Sequence, residues 1–305
     1  MKTPLITVLT PSYNRRNTLP ALYESLCNQR KFDFEWMIID DGSQDGTNLL
    51  IQNYIDSHPP FEIRYIWKEN GGKASATNWA LSKIRTEFIY FMDSDDYLPS
   101  NAIEELIPYL LEIRNDEHIL GVTGLRIHKD GTPIGDVIPD SPLDVSYLDF
   151  RVKCKAHGDY AETAKTKIIR RYPFPLYKGE KFCTEALVWN RMAQTYKSRY
   201  INVPLRVAEY LSGGLTDTYS LIMRQSPNGS LLYYKELFYY PIPTIDRLRA
   251  LYDYWSFYIK IDKSTCFLHK EVLATPIMKL YGVVLPFWWI YRKVKRSVKK
   301  ISRYK

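Results

Sequence analysis

The stretch FIYFMDSDD, Phe88 to Asp96, decides how this chain is read. Phe88 to Met92 is an apolar run with the length and composition of a buried strand. It stops at three carboxylates within four residues, Asp93, Asp95 and Asp96. Anions this close repel one another unless a cation sits among them. A hard divalent ion such as Mg²⁺ or Mn²⁺ takes oxygen ligands and needs only one or two carboxylates when substrate phosphates supply the rest. The D-x-D spacing puts Asp93 and Asp95 on one side of an extended chain. The same residues would also serve as a helix N-cap with an acidic first turn, and taken alone the tetrapeptide leaves both readings open.

Upstream, the pattern repeats. Leu5–Leu9, Trp36–Ile39 and Ile63–Trp67 read as short strands, and Ile119–Leu125 follows as a further candidate. Between them Leu19–Gln29, Asn48–Ile55, Lys73–Lys83 and Asn101–Leu111 have helical spacing. Strands alternating with helices predict a doubly wound, mostly parallel α/β sheet covered on both faces. Polar clusters follow the strands at residues 11–15, 40–46, 68–73 and 93–96. In an open α/β sheet ligands bind outside the carboxyl ends of the strands, so the four clusters are expected to gather along one edge. Asp40-Asp41-Gly42-Ser43 also suits an ordinary turn. Asn70-Gly71-Gly72-Lys73 places two glycines before a helix, where backbone N–H groups approach an anion and Lys73 adds charge; the spacing is not that of a P-loop.

These four runs, beginning with Thr10-Pro11-Ser12-Tyr13-Asn14-Arg15, resemble in order and spacing the family-2 glycosyltransferases of GT-A fold. The likeness extends through Gly158-Asp159, Tyr172-Pro173-Phe174-Pro175 and Gly179-Glu180-Lys181-Phe182 to Glu185-Ala186-Leu187, which look like the acceptor half of bacterial members. The resemblance implies an inverting enzyme that uses a nucleotide-activated sugar, UDP-linked by expectation, and Mg²⁺ or Mn²⁺. It implies that Pro11, Tyr13 and Arg15 border the nucleotide, that Asp41 contacts its base, and that Asn70 and Lys73 lie beside the base or ribose. Asp93 and Ser94 would approach the ribose, and Asp95 would coordinate the metal, with Asp96 as a neighbour.

Inversion by one in-line displacement needs a base for the acceptor hydroxyl. Relatives carry an acidic pair before a helix in the second half; here Thr184-Glu185 stands there. Glu185 is the expected base and Glu180 the second candidate, while Thr184 and Glu185 also suit a plain helix start. Residues 181–197 read as one helix and 212–219 as a mobile loop, with Gly213-Gly214 as a hinge over the donor and Arg224 as a residue for a phosphate. His157 has no partner at ligand spacing and reads as structural or as part of an acceptor groove. The QxxRW motif of processive synthases is absent, which argues against polymer extrusion. Two other functions compete: a nucleotidyltransferase making sugar nucleotides, whose Gly-rich Lys/Arg loop after strand one is replaced here by Pro-Ser-Tyr-Asn-Arg, and a non-catalytic nucleotide-sugar scaffold.

With 305 residues, 45% of them hydrophobic, the chain can bury a sizeable core. The expected organisation is a catalytic domain over 1–215, split into a nucleotide-sugar half (1–125) and an acceptor half (126–215), with a helical region over 216–305. The net charge of +8 is that of a tail: Arg292 to Lys305 carries eight Lys or Arg, and without them 34 basic residues face 34 acidic ones. That balance argues against nucleic acid as a partner. Four scattered cysteines with no CxxC suit free thiols in a reducing compartment, and the N-terminus lacks a signal-peptide core. Residues 274–291 are apolar with Trp288 and Trp289 near the end, and Val294, Val298 and Ile301 stripe the basic segment beyond. That pattern predicts a helix lying on an anionic membrane surface, against the alternative of an apolar helix docked on the core with a solvated tail. A cytoplasmic enzyme peripheral to the inner face of the cell membrane, acting on a glycan or lipid-linked acceptor, is the resulting expectation.

Overall fold

The computed structural model describes residues 3–208, 215–262 and 268–283. The chain divides into two compact units, Met1–Ser220 and Leu221–Lys305. The division falls inside a helix that begins at the sequence boundary expected near 215.

The first unit opens with β1 (Ile6–Ser12), α1 (Leu19–Cys27), β2 (Phe34–Asp40), α2 (Thr47–Asp56), β3 (Ile63–Trp67), α3 (Lys73–Leu81) and β4 (Phe88–Phe91). These strands lie parallel in the order β3-β2-β1-β4. Every residue of β2 is buried, the mark of a strand covered on both faces. Helix α1 packs through Leu19, Leu22 and Leu26, one helical stripe. β1 runs on past the expected Leu9 to Ser12, through Pro11. The proline is tolerated because β4 pairs only as far as Leu9, so its missing N–H breaks no ladder bond.

The sheet then changes character. After β5 (Asp96–Tyr97) and α4 (Ala102–Ile113) come β6 (Ile119–Ile127), β7 (Leu143–Val145), α5 (Tyr147–Val152), β8 (Tyr160–Lys165), α6 (Thr166–Ile169), α7 (Glu185–Met192) and β9 (Lys197–Ala208). β8 inserts antiparallel between β4 and β6, and β9 runs parallel to β6. The sheet therefore continues β4-β8-β6-β9-β5. Sequence reading assigned neither β8 nor β9. The predicted helix over 181–197 shrinks to Glu185–Met192. Thr184 is extended, because the chain before it packs its Lys181 carbonyl against Gly72, while Lys197 already belongs to β9.

α8 (Leu215–Gln225) replaces the latter part of the loop expected over 212–219; Gly213 and Gly214 lie outside the described residues. The second unit continues with α9 (Pro227–Tyr239) and α10 (Thr244–Lys260). Residues 276–283 are helical. Met278 is buried there, and the Trp255 indole N–H donates to its carbonyl at 3.3 Å. Gly282 lets that helix meet the Trp255 ring, which would stand 2.9 Å from an added Cβ. The opposite face leaves Ile277, Leu280, Tyr281 and Val283 exposed. The basic stripe of Val294, Val298 and Ile301 lies outside the described residues. Cys27, Cys154 and Cys183 are free thiols.

Candidate active site

The loops after β1 and β2 are pinned to each other. The Asn14 N–H donates to Ser43 Oγ at 2.8 Å, and Asn14 Oδ1 accepts from the Gln44 N–H at 2.9 Å. The Arg16 N–H donates to Asp45 at 2.9 Å. Asn14 holds a left-handed φ of 52°, which Asn tolerates better than most residues. Tyr13 is left half-exposed on this ridge. The Arg15 carbonyl accepts from the N–H groups of Thr18 and Leu19, starting α1, and its side chain makes no ion pair among the described residues.

Asp41 is buried and fully engaged. Its carboxylate accepts from the Lys68 ammonium at 2.6 Å and from the N–H groups of Gly71 and Gly72 at 2.9 and 2.6 Å. Asn70 donates to the Asp41 carbonyl at 2.7 Å. The two glycines do present backbone N–H groups to an anion, as the sequence suggested, but here that anion is Asp41 itself. Gly72 is required on two counts. Its φ is 88°, and a Cβ would sit 1.8 Å from the Lys181 carbonyl oxygen. That close approach brings the segment before α7 against the start of α3.

Lys73, the first residue of α3, reaches across the sheet edge. Its ammonium bonds Asp93 and, at 2.7 Å, Glu185. Residues far apart in sequence thus meet: Asp93 at the end of β4 and Glu185 at the first turn of α7. Burial works against the Lys73 charge, but Asp93 and Glu185 outweigh it and raise its pKa. Burial likewise works against the Asp93 carboxylate; Lys73 and Arg206 overcome it and hold Asp93 well below the usual carboxylate range.

Arg206 was missed in the sequence. It lies buried on β9, 3.3 Å from Asp93 and 3.5 Å from Asp96, and donates to the Phe91 carbonyl. The only local signal was a lone charge inside the apolar run Leu205-Arg206-Val207. Asp96 is also paired with Arg126 at 3.0 Å, which in turn reaches Asp159 at 3.2 Å. Arg206 Nε, Arg126 Nε and Asp96 Oδ2 lack well-aligned hydrogen bonds. A buried polar network with unmet members is expensive for a fold that needs only stability.

Ser94 is buried and Asp95 half-buried. No three His, Cys, Asp or Glu side chains gather as a metal cage among the described residues. Asp93 and Asp96 already have cationic partners, which leaves Asp95 as the carboxylate able to take a cation. One protein carboxylate completed by diphosphate oxygens and water is an ordinary Mg²⁺ or Mn²⁺ arrangement, so Asp95 fits a metal held in that way.

A narrow cleft of about 30 Å³ is lined by Lys73, Asp93, Glu162, Glu185, Trp189 and Arg206, among others. That is room for little more than ordered water, and Lys73 and Glu185, which line it, are bonded to each other. Glu180 is not part of the lining; it lies in the loop before α7. Arg224 is exposed in the last turn of α8, within the second unit. His157 is exposed beside Asp136 at 3.3 Å, next to a separate hollow lined by Asp136, Phe150 and Tyr160.

Residues 7–134 match the glycosyl transferase family 2 profile. Over those residues the chain has the sequence of a family-2 glycosyltransferase domain, and the fold is that of GT-A structures. It is 32% identical over 146 residues to TuaG of Bacillus subtilis (strain 168), named as a glycosyltransferase of teichuronic acid biosynthesis; the match covers 48% of this chain and 56% of that one. It is 34% identical over 137 residues to the chondroitin synthase of Escherichia coli, covering 44% of this chain and 19% of that one. The chain thus spans little more than half, or less, of the curated relatives it matches. Among solved structures, the mannosyltransferase PcManGT of Pyrobaculum calidifontis, in complex with GDP-Man and Mn²⁺, aligns with a TM-score of 0.56 at 17% identity, covering 96% of this chain and 83% of that one. S. aureus TarS 1–349 in complex with UDP-GlcNAc aligns with a TM-score of 0.55 at 17% identity, covering 85% and 74%. At such identity the two structures speak for the fold.

Proposed function

We propose that this chain transfers a sugar from a UDP-linked donor to a glycan or lipid-linked acceptor in polysaccharide synthesis, with inversion at the anomeric carbon and Glu185 as the base. The observation that carries this reading is the Lys73 bridge. It draws Asp93, at the edge where the family's nucleotide motifs gather, to Glu185 across the cleft.

In this reading the acceptor hydroxyl gives its proton to the Glu185 carboxylate. Its oxygen bonds the anomeric carbon as the bond to the diphosphate oxygen breaks, and the departing diphosphate keeps the electron pair. Asp95 would hold a divalent ion, whose chemistry when bound would be neutralising charge for that diphosphate. Lys73 holds the Glu185 carboxylate in an ion pair. A diphosphate that takes the ammonium frees Glu185 at the moment the donor is in place. Tyr13 and Arg15 flank the nucleotide, and Asp41 with Asn70 fixes the turn beneath it.

The test is a thermal shift of the purified chain against UDP, GDP, CDP and dTDP, with and without Mn²⁺, alongside nucleotide release from donor. Binding raises apparent stability by mass action. UDP with Mn²⁺ should raise the melting temperature, and Asp95→Ala should lose the metal dependence. Glu185→Gln should keep the shift while transfer falls by about 10²–10⁴-fold. Full transfer by Glu185→Gln would remove Glu185 from the mechanism, and no shift with any nucleotide would remove the donor site.

Attachment to an anionic membrane surface is part of the same proposal. No described helix is long and apolar enough to cross a membrane. The exposed face of Ile277, Leu280, Tyr281 and Val283 is the apolar half of a surface-lying helix. Paired substitution of Ile277 and Leu280 by Ser should reduce co-sedimentation with phosphatidylglycerol vesicles. Unchanged sedimentation would refute this face as the contact.

A further inference from the structure

The cleft holds one carboxyl that the mechanism above does not use. Glu162 lies on β8, opposite Thr123 of β6, and lines the cleft with Glu185, Arg206 and Trp189. Among the described residues no hydrogen bond or ion pair reaches its carboxyl. The two cations of the lining are already committed, Lys73 to Asp93 and Glu185, and Arg206 to Asp93 and Asp96. Arg151, on α5, is committed as well: it donates to the Gly158 carbonyl at 2.5 Å and stacks on the Tyr147 and Tyr160 rings. Burial pushes the Glu162 carboxyl up to about 7, against the pull of Arg206, with Glu185 adding to the rise.

Glu162 is half-buried, and a carboxyl drawn out of water is costly unless something pairs with it. A ligand hydroxyl is the partner that this one lacks. Carboxyl oxygens accept from hydroxyls, and the protonated form donates to them. As it stands the cleft has room for little more than water, with Phe174 and Trp189 buried in its wall, so a sugar ring would enter it only once the donor diphosphate takes Lys73 from Glu185. A carboxylate-bearing sugar brought to the same place would meet Glu162 and Glu185 with no uncommitted cation in the lining.

We infer that Glu162 is a specificity-determining residue of the donor-sugar subsite, holding a hydroxyl of a neutral hexose or N-acetylhexosamine and turning away hexuronate donors. This rests on the donor-site reading proposed above. Rejection by an unpaired like charge is a device separate from attraction to the right ligand. A site built to bond a hydroxyl also discriminates strongly against a ligand that lacks it.

The experiment uses the full chain with Mn²⁺. It measures UDP release from UDP-glucose, UDP-galactose, UDP-N-acetylglucosamine and UDP-glucuronate, and UDP affinity by calorimetry. Wild type should favour a neutral donor over UDP-glucuronate. Glu162→Gln removes the charge at nearly constant shape; it should narrow that preference at least about tenfold and leave UDP affinity unchanged. Glu162→Leu should lose turnover of the neutral donor while still binding UDP. Wild-type preference for UDP-glucuronate, or an unchanged donor ranking in both variants, would overturn the inference while leaving the glycosyltransferase reading intact. Failure of the wild type to bind UDP would overturn the donor-site reading, and this inference with it.

Discussion

The two halves of the first unit build their share of the cleft in different ways. In the all-parallel half, the loops after β1, β2 and β3 satisfy one another: Asn14 with Ser43 and Gln44, and Asp41 with Lys68, Gly71 and Gly72. In the half built on β6, β8 and β9, the charges that reach the cleft are Glu162 and Arg206, set on strands, and Glu185, set at the start of α7. The first half is a rigid platform whose polar groups are spent on its own geometry. The second carries buried charge that only long-range contacts, and by our proposal a ligand, can balance. Binding surfaces placed on such a rigid scaffold hold their geometry when the ligand arrives.

The comparison can be broken at its seams. The largest effect is expected from Arg206→Met, which removes the buried cation shared by Asp93 and Asp96 and leaves each with one partner, Lys73 and Arg126. Removing one member of a buried ionic network costs about 3–5 kcal/mol. Urea denaturation of the first unit's transition reads it directly; a loss under 1 kcal/mol would mean that the second half does not depend on its buried charges. Gly72→Ala should come next. It forces a left-handed residue and a clash with Lys181, costing at least about 1–3 kcal/mol. Because that contact seats the chain before α7, nucleotide release from donor should fall along with stability. Loss of stability with full turnover would separate the α3–α7 seam from the site.

The smallest effect is one of pH. The Glu162 pKa is raised above its ordinary value to about 7, so between about pH 4.5 and 7 the folded state binds more proton than the unfolded. Stability must then fall as pH rises through that window. Glu162→Gln removes this contribution, and the melting temperature of the variant should decline less than that of wild type from pH 5 to 7.5. Parallel profiles would show that the Glu162 carboxyl is not shifted by its surroundings.

The chain's own residues fixed the parallel half, because each of its strands ends in a polar loop and α1 shows its apolar stripe within a short window. The four motif runs were legible as strand-end loops because turn chemistry and strand ends are local, whereas the nucleotide roles of Pro11, Tyr13, Arg15, Asp41, Asn70, Lys73 and Asp93 came from the family resemblance alone. Glu185 was legible as a helix start whose function depends on what faces it. β8 and β9 were not legible. Tyr160–Lys165 mixes Glu, Thr and Lys into a short strand that pairing with β4 and β6 stabilises, and Lys197–Ala208 carries three charged residues and a proline. Only tertiary structure decided that Asp41 spends its carboxylate on Gly71 and Gly72, that Lys73 ties Asp93 to Glu185, and that Arg206 and Glu162 enter the same cleft. The physical reason is range: periodicity and capping act over a few residues, whereas an ion pair between residues 93 and 206 exists only once antiparallel β8 has drawn the two halves of the sheet together.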